Sequence, residues 1–276
     1  MRAAGRALGT SARILAETVR TALLPLAAVN LGVRKFEDYL RGRFADELDA
    51  ATAHIPEESL QEPPLNVAGP VMQGLGFSYE SEELRAMFLA LLATSMNSSK
   101  TEAHPAFADI VRQLDPDEAL ILEAALRDEP RGVAVASFHR RVDPEGNIVA
   151  LANNVLPLLD WEEPAGTGPD LQRFAAYVDN WVRLGLVEVD YARAFSIPGR
   201  YDWLERWPLP VHLRRAVGAD LVTERGRLTV TDWGRRFATA VNVSGRDKGR
   251  YSFELPPLTA PRPEPVARQV VDGGSP

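Results

Sequence analysis

Ile55 to Leu126 reads IPEESLQEPPLNVAGPVMQGLGFSYESEELRAMFLALLATSMNSSKTEAHPAFADIVRQLDPDEALILEAAL, and its punctuation marks out a series of short helices. Ser81 is placed to cap a helix N-terminus, Glu82 and Glu83 suit the positive end of its dipole, and Leu84, Met87, Phe88, Leu91 and Leu92 form one apolar stripe. His104-Pro105 opens the next helix with proline at its first position, and Phe107, Ile110, Val111 and Leu114 make its buried face. Asp115-Pro116-Asp117-Glu118 repeats the device. Asp caps, Pro presets φ and two acids complement the dipole, which predicts a helix to about Arg127. Upstream, Pro63, Pro64, Gly69 and Pro70 break the chain into turns, with a helix over Val67 to Leu75 begun near Pro70. Capped antiparallel helices on short turns make a helical bundle.

Toward the N-terminus, Phe36, Tyr39, Leu40, Phe44 and Leu48 keep a helical period from about Lys35 to Ala53, which Pro56 ends. Residues 2–24 also read as a helix, with Arg2, Arg6, Arg13 and Arg20 in one stripe roughly 40° wide. Leu8, Ile14, Leu15, Val19 and several alanines occupy the rest of its surface. Two readings fit: a basic amphipathic helix lying on an anionic membrane or a partner, or a solvated arginine face on a helix packed against its own domain or a neighbouring subunit. Charge is unevenly placed: residues 1–43 hold 8 Arg/Lys against 3 Asp/Glu, residues 44–130 hold 4 against 17, and the remainder is balanced at 19 against 18.

Beyond the bundle, residues 131–168 read as an irregular connection with one hairpin near Asp143-Pro-Glu-Gly-Asn147. A helix returns over 171–184, with Phe174, Tyr177, Val178, Trp181 and Leu184 on one side and Gly185 at its stop, followed by a strand over Leu186 to Tyr191. Two short β runs then flank a tight turn at Glu224-Arg225-Gly226, and a helix starts near Thr231. Helix, strand, hairpin and helix together resemble a winged helix. The expected fold is therefore mainly α: an N-terminal helical bundle with a C-terminal winged-helix-like α+β domain. Its divisions are a basic arm over 1–54, a helical core over 55–130, the connection over 131–168, the winged-helix-like domain over 169–255, and a disordered tail over 256–276 rich in proline.

Composition narrows the chemistry. Hydrophobic residues make up 45% and charged residues 25% of the 276, the balance of a globular protein, and the absence of cysteine excludes disulfides, thiolate metal sites and a catalytic Cys. The run Ala22 to Val33 contains Pro25 and Asn30 and is short of the roughly 20 apolar residues that span a bilayer. Arg13, Glu17 and Arg20 interrupt any signal-peptide core, which makes a cytoplasmic location, peripheral at the inner membrane if the arm binds lipid, the expectation. None of His54, His104, His139 and His212 has another His three or four residues away, so no metal site and no cofactor are expected. Ser95, Ser98 and Ser99 read as a helix end and polar loop, without the spacing of a serine nucleophile; Gly74-Leu-Gly76 reads as a turn. Asp115, Asp117 and Glu118 read as capping or solvated acids, and His104 as a capping histidine. The positive bias of Arg225, Arg227, Arg235 and Arg236 makes these the candidate DNA contacts of a wing and its neighbouring helix.

The segment over 55–126 resembles the abortive infection alpha family. That family shares an "IPxE…EP…GP" opening, an "ELRxMFxxLLAxSM" helix, an "HPxF" turn and an "LxPDEAxIL" helix. On this chain the shared positions are Pro56, Glu58, Pro63, Gly69, Pro70, Leu84, Phe88, Leu91, Leu92, Ser95, His104, Pro105, Phe107, Pro116, Asp117 and Glu118. YVDNWVRLGLVEV and GRLTVTDWGRRFATAV fit the family's later "YxxNLxRLGLV" and "LTxxGxxF" elements more loosely, with Trp181 where Leu is usual. The resemblance implies a role in defence against phage. Physically its residues are caps, turn prolines and apolar stripes, so the expectation is a non-enzymatic protein acting by association or at a membrane surface. Its candidate contacts are Arg2, Arg6, Arg13, Arg20, Leu8, Ile14 and Leu15. The partners expected are a second copy of the chain, another defence protein or an anionic membrane surface; the alternative is a DNA-binding regulator in a defence locus.

Overall fold

The computed structural model describes residues 31–127, 132–157 and 171–243, with the side chains of 31–33 and 171–174 left aside. The arm residues Arg2, Arg6, Leu8, Arg13, Ile14, Leu15 and Arg20, the Phe174 side chain and the proline-rich tail lie outside the described residues.

The helix expected over 35–53 is two helices, α1 (Leu31–Gly42) and α2 (Phe44–Thr52), which break at Gly42-Arg43. Gly is the weakest ordinary helix former, and the break lets both apolar stripes face one core. Phe36, Tyr39, Leu40, Phe44 and Leu48 are all buried there. Tyr79 packs on Phe36 at 5.5 Å and Tyr39 at 5.7 Å between ring centroids, seating α1 on the end of α3 (Leu65–Ser78). This helix begins five residues before Pro70, directly after Pro63-Pro64, and carries Pro70 inside it at the cost of one backbone bond. Gly74 is where the Phe88 ring of α4 (Glu82–Ser95) crosses it, leaving no space for a side chain. Ser81 caps α4, accepting the Leu84 N–H at 3.3 Å.

Two shorter helices complete this layer: α5 (Ala106–Val111) and α6 (Pro116–Arg127). Asp115 caps α6 by accepting the Asp117 N–H at 3.0 Å, while Glu118 reaches back to the Asp115 N–H at 3.0 Å, a capping box. Of the two roles expected for it, capping or solvated, Glu118 takes the capping one. It is 3% exposed and also takes Asn180 Nδ2 at 2.8 Å.

The hairpin expected near Asp143–Asn147 is present as β1 (Val133–Arg141) and β2 (Ile148–Val155), with register shifts around Phe138; it takes in most of what was expected to be irregular connection. Its turn is held by Asp143, whose Oδ1 accepts the Asn147 N–H at 2.9 Å. After α7 (Leu171–Arg183) come β3 (Val187–Asp190), α8 (Pro208–Val217), β4 (Leu221–Val230) and α9 (Asp232–Ala240). The sheet runs β2-β1-β4-β3, antiparallel throughout.

The hairpin expected at Glu224-Arg225-Gly226 is absent: β4 passes straight through it, pairing Ala136 with Arg225 and Val135 with Gly226. Gly226 serves close packing, not a turn, since a Cβ there would stand 2.7 Å from the Tyr191 ring. Strand alternation then splits β4. Leu228 and Val230 face the helical layer, whereas Arg225 and Arg227 face the side of Tyr201 and Trp203.

The larger core runs from Phe36 to Val243, and so joins segments that the sequence assigns to four divisions. A second core, around Phe138, Tyr201, Trp203 and Leu204, fills the other face of the sheet. The fold is mixed α+β, a helical layer against a four-stranded antiparallel sheet, rather than mainly α.

Candidate functional site

Among the described residues a groove of 630 Å³ lies between α2, α4 and α9. The reason lies in α4, which is apolar on two sides. Leu84, Met87, Phe88, Leu91 and Leu92 fill the core, while Ala86, Leu89, Ala90 and Ala93 floor the groove. Ala50 and Ala51 of α2 and Ala238 of α9 face them. A helix apolar all round either lies buried or meets a partner. Here the small side chains leave an open trough along it.

Polar groups sit at both ends. At one, Arg85 Nε lies 3.2 Å from Glu47 Oε2 and its Nη1 donates to the Tyr79 carbonyl at 2.5 Å, with the Arg85 side chain only 14% exposed. Tyr39 Oη donates to the same Glu47 at 2.9 Å, and burial together with that carboxylate holds the phenol above its ordinary range. Glu82 stands exposed beside this pair. At the other end Asn97 is 8% exposed; its Oδ1 accepts the Ser99 N–H at 2.9 Å and its Nδ2 has no hydrogen-bond partner among the described residues. Lys100, His54, Thr239 and Asn242 complete that end. Thr94 Oγ1 ties the α4 and α9 walls together by donating to the Ala240 carbonyl at 2.9 Å.

The candidates drawn from the sequence fall elsewhere. His104 Nδ1 accepts the Ala106 N–H at 3.1 Å and its ring meets Trp233 edge-on at 5.0 Å, a cap on α5 fixed by an aromatic neighbour. Phe107 packs on Trp233 at 4.5 Å and on Phe237 at 5.5 Å. Ser95 donates to the Leu92 carbonyl at 2.7 Å, Ser98 to the Ser59 carbonyl at 3.0 Å, and Ser99 pairs with Ser59 at 3.0 Å, so these serines serve the helix end and loop. Pro56 and Glu58 shape the exposed turn at 57–59, Pro63 is buried, and Pro105 and Pro116 stand at the starts of α5 and α6. Arg225 stacks over Tyr201 at 5.4 Å, Arg227 is half-buried on the same face, and Arg235 donates to the Val230 carbonyl at 2.9 Å while pairing with Asp232. Arg236 is exposed on α9, whose Phe237 and Ala240 enter the core on the far side of the sheet. The four arginines are thus divided between two sides. Among the described residues no cluster of His, Asp and Glu suited to a metal occurs, and no helix is long and apolar enough to cross a membrane.

The groove residues were missed because only the core stripe of α4 stands out by period. The available signal was the second set of small residues, Ala86, Ala90 and Ala93, in the same helix.

Fold and groove together define a mixed α+β protein whose helical layer presents a trough floored by alanines. The chain belongs to the abortive infection alpha family, whose model matches residues 34–241. No curated protein and no solved structure matches it. The match takes in α2, α4 and all of α9, so every groove residue but Asn242 lies within the family's own span, whereas the arginine stripe lies before it. Membership points to abortive-infection defence.

Proposed function

We propose that this protein acts in antiphage defence without chemistry of its own, by taking a helical segment of a partner protein into the α2–α4–α9 groove. The observation that carries this reading is the alanine floor contributed by three helices, because small side chains let a helix backbone approach closely and fix its register. The charged groups at the two ends supply orientation, the arrangement of an apolar centre with a polar rim. Plaque formation on cells carrying the wild-type chain, Ala86→Trp or Thr239→Trp tests it. Loss of protection by both variants, with unchanged thermal unfolding and with protection retained by Gln73→Trp on the outer face of α3, is the expected result. Full protection by folded Ala86→Trp would remove the groove from the function.

A second reading keeps DNA as the ligand. The order α7, β3, β4 retains the helix and paired strands of a winged helix, with the long connection through α8 in place of a short wing. Arg225 and Arg227 have no carboxylate within ion-pair distance among the described residues, which favours phosphate contact on that face. Gel shifts at graded salt with the double Arg225→Ser, Arg227→Ser variant decide this; affinity unchanged by the double substitution would end it.

A further inference from the structure

The groove floor follows helical steps: Ala86, Ala90 and Ala93 recur at four and three residues along α4. A helix lying along them needs small residues of its own, and the sequence before α1 has the spacing for one. Gly5, Gly9, Ala12 and Ala16 fall on one stripe roughly 60° wide when residues 2–24 are wound at 100° per residue. Arg2, Arg6, Arg13 and Arg20 border that stripe on one side, and Leu8, Leu15 and Val19 on the other. The stripe of small residues sought by the groove therefore carries charge along one edge and apolar bulk along the other.

The described chain begins beside the groove. Lys35 of α1 lies 3.3 Å from Glu80, two residues before Glu82 at the mouth of the groove. Leu31 is one turn earlier on α1, with 30 residues of chain before it. Lengths also agree: residues 9–24 as a helix measure about 24 Å and α4, Glu82–Ser95, about 21 Å, at 1.5 Å per residue. The groove lining is balanced, Glu47 and Glu82 against Arg85 and Lys100, and Glu47 is already paired with Arg85, which leaves Glu82 as the carboxylate open to the arm's arginines. Glu82 is exposed and has no ion-pair partner among the described residues.

We propose that residues 9–24 dock as a helix in the α2–α4–α9 groove of the same chain, with Gly9, Ala12 and Ala16 on the alanine floor and Arg20 against Glu82. The inference rests on the reading of the groove as a helix-binding site and adds its regulation: the arm occupies the groove until a partner's helix displaces it.

The chain has no cysteine, so introduced pairs report contact cleanly. Full-length Ala16→Cys, Ala90→Cys, treated with a short bismaleimide, is expected to form a cross-link within one chain. The same link is expected to vanish when Ala86→Trp is added and to be absent from Ala16→Cys paired with Thr223→Cys on β4. Monomer mass on a denaturing gel and mass spectrometry of the linked peptide identify it. No link in a folded Ala16→Cys, Ala90→Cys chain, a link found only between two chains, or equal linking to Thr223→Cys would each overturn docking in the same chain. So would flotation of the arm with phosphatidylserine vesicles in place of the link. Loss of phage protection by Ala86→Trp without any link leaves the groove as a partner site and removes the arm from it; retained protection removes the groove reading itself.

Discussion

The carbonyl oxygen of Leu186 occupies the space that a Cβ on Gly234 would need. The same carbonyl accepts the Thr231 N–H at 3.1 Å, and Thr231 Oγ1 donates to the Gly185 carbonyl at 2.6 Å while accepting the Gly234 N–H at 2.8 Å. Two sequence elements far apart, RLGLV at 183–187 and TDWG at 231–234, are thus halves of one joint that locks α7, β3 and α9 together. Gly185 completes it with φ +71, a left-handed conformation natural to glycine.

Gly234→Ala is expected to lower stability by about 3 kcal/mol, because the new methyl meets backbone that cannot move without opening β3. Gly69→Ala is expected to do the opposite. With nothing beyond its chain neighbours near its Cβ position in α3, alanine adds helix propensity and raises stability by about 0.5–1 kcal/mol. Urea unfolding of the two variants reads both signs, and equal effects would refute the close approach.

Thr231→Ala loses the cap on α9 as well as the bond to Gly185, an expected cost of about 1–2 kcal/mol. Thr231→Ser keeps the hydroxyl and is expected to recover most of it. If Ser and Ala were alike in chemical denaturation, the hydroxyl would not be the stabilising group.

Burial raises the carboxyl of Glu118 above its ordinary 4.5, against the lowering effect of the Asp115 N–H and the Asn180 amide. The folded state then holds its proton where the unfolded state has released it, so stability falls as pH rises from about 4.5 through the raised value and stays lower above it. Glu118→Gln removes the ionisation and keeps one acceptor oxygen, for either the Asp115 N–H or the Asn180 amide, with its NH2 turned to the other donor. Relative to wild type, its stability is expected to gain as pH rises through that window, measured by urea midpoints across the range; parallel profiles would contradict the assignment.

Trp203 is fully buried in the second core, so Trp203→Ala is expected to cost about 3–5 kcal/mol. Phe77, 83% exposed on α3, is expected to change stability by less than about 0.5 kcal/mol when replaced by alanine. Thermal melts of the two side by side check the contrast.

Legibility in the sequence followed the range of the interactions. The Ser81 and Asp115 caps and the stop of α7 at Gly185 are set by residues within a few positions and were readable. The first turn of α3 was not, because Pro70 is tolerated inside a helix that packing against Phe88 holds in place. Gly226 was misread for a related reason. Between two β runs glycine signals a turn, but the ring of Tyr191, 35 residues away in sequence, is what requires it.

The sequence by itself determined the helical layer, its caps, its main apolar stripe and its family, because periodicity and capping act over one or two turns. Only the tertiary structure decided that β4 lies in the middle of a sheet, that Arg225 and Arg227 stand apart from Arg235 and Arg236, and that three alanine-bearing helices leave a groove. Strand partners and cavities depend on which distant surfaces meet. The same alanines would fit a sealed core or an open trough, and the approach of α2 and α9 to α4 selects the trough.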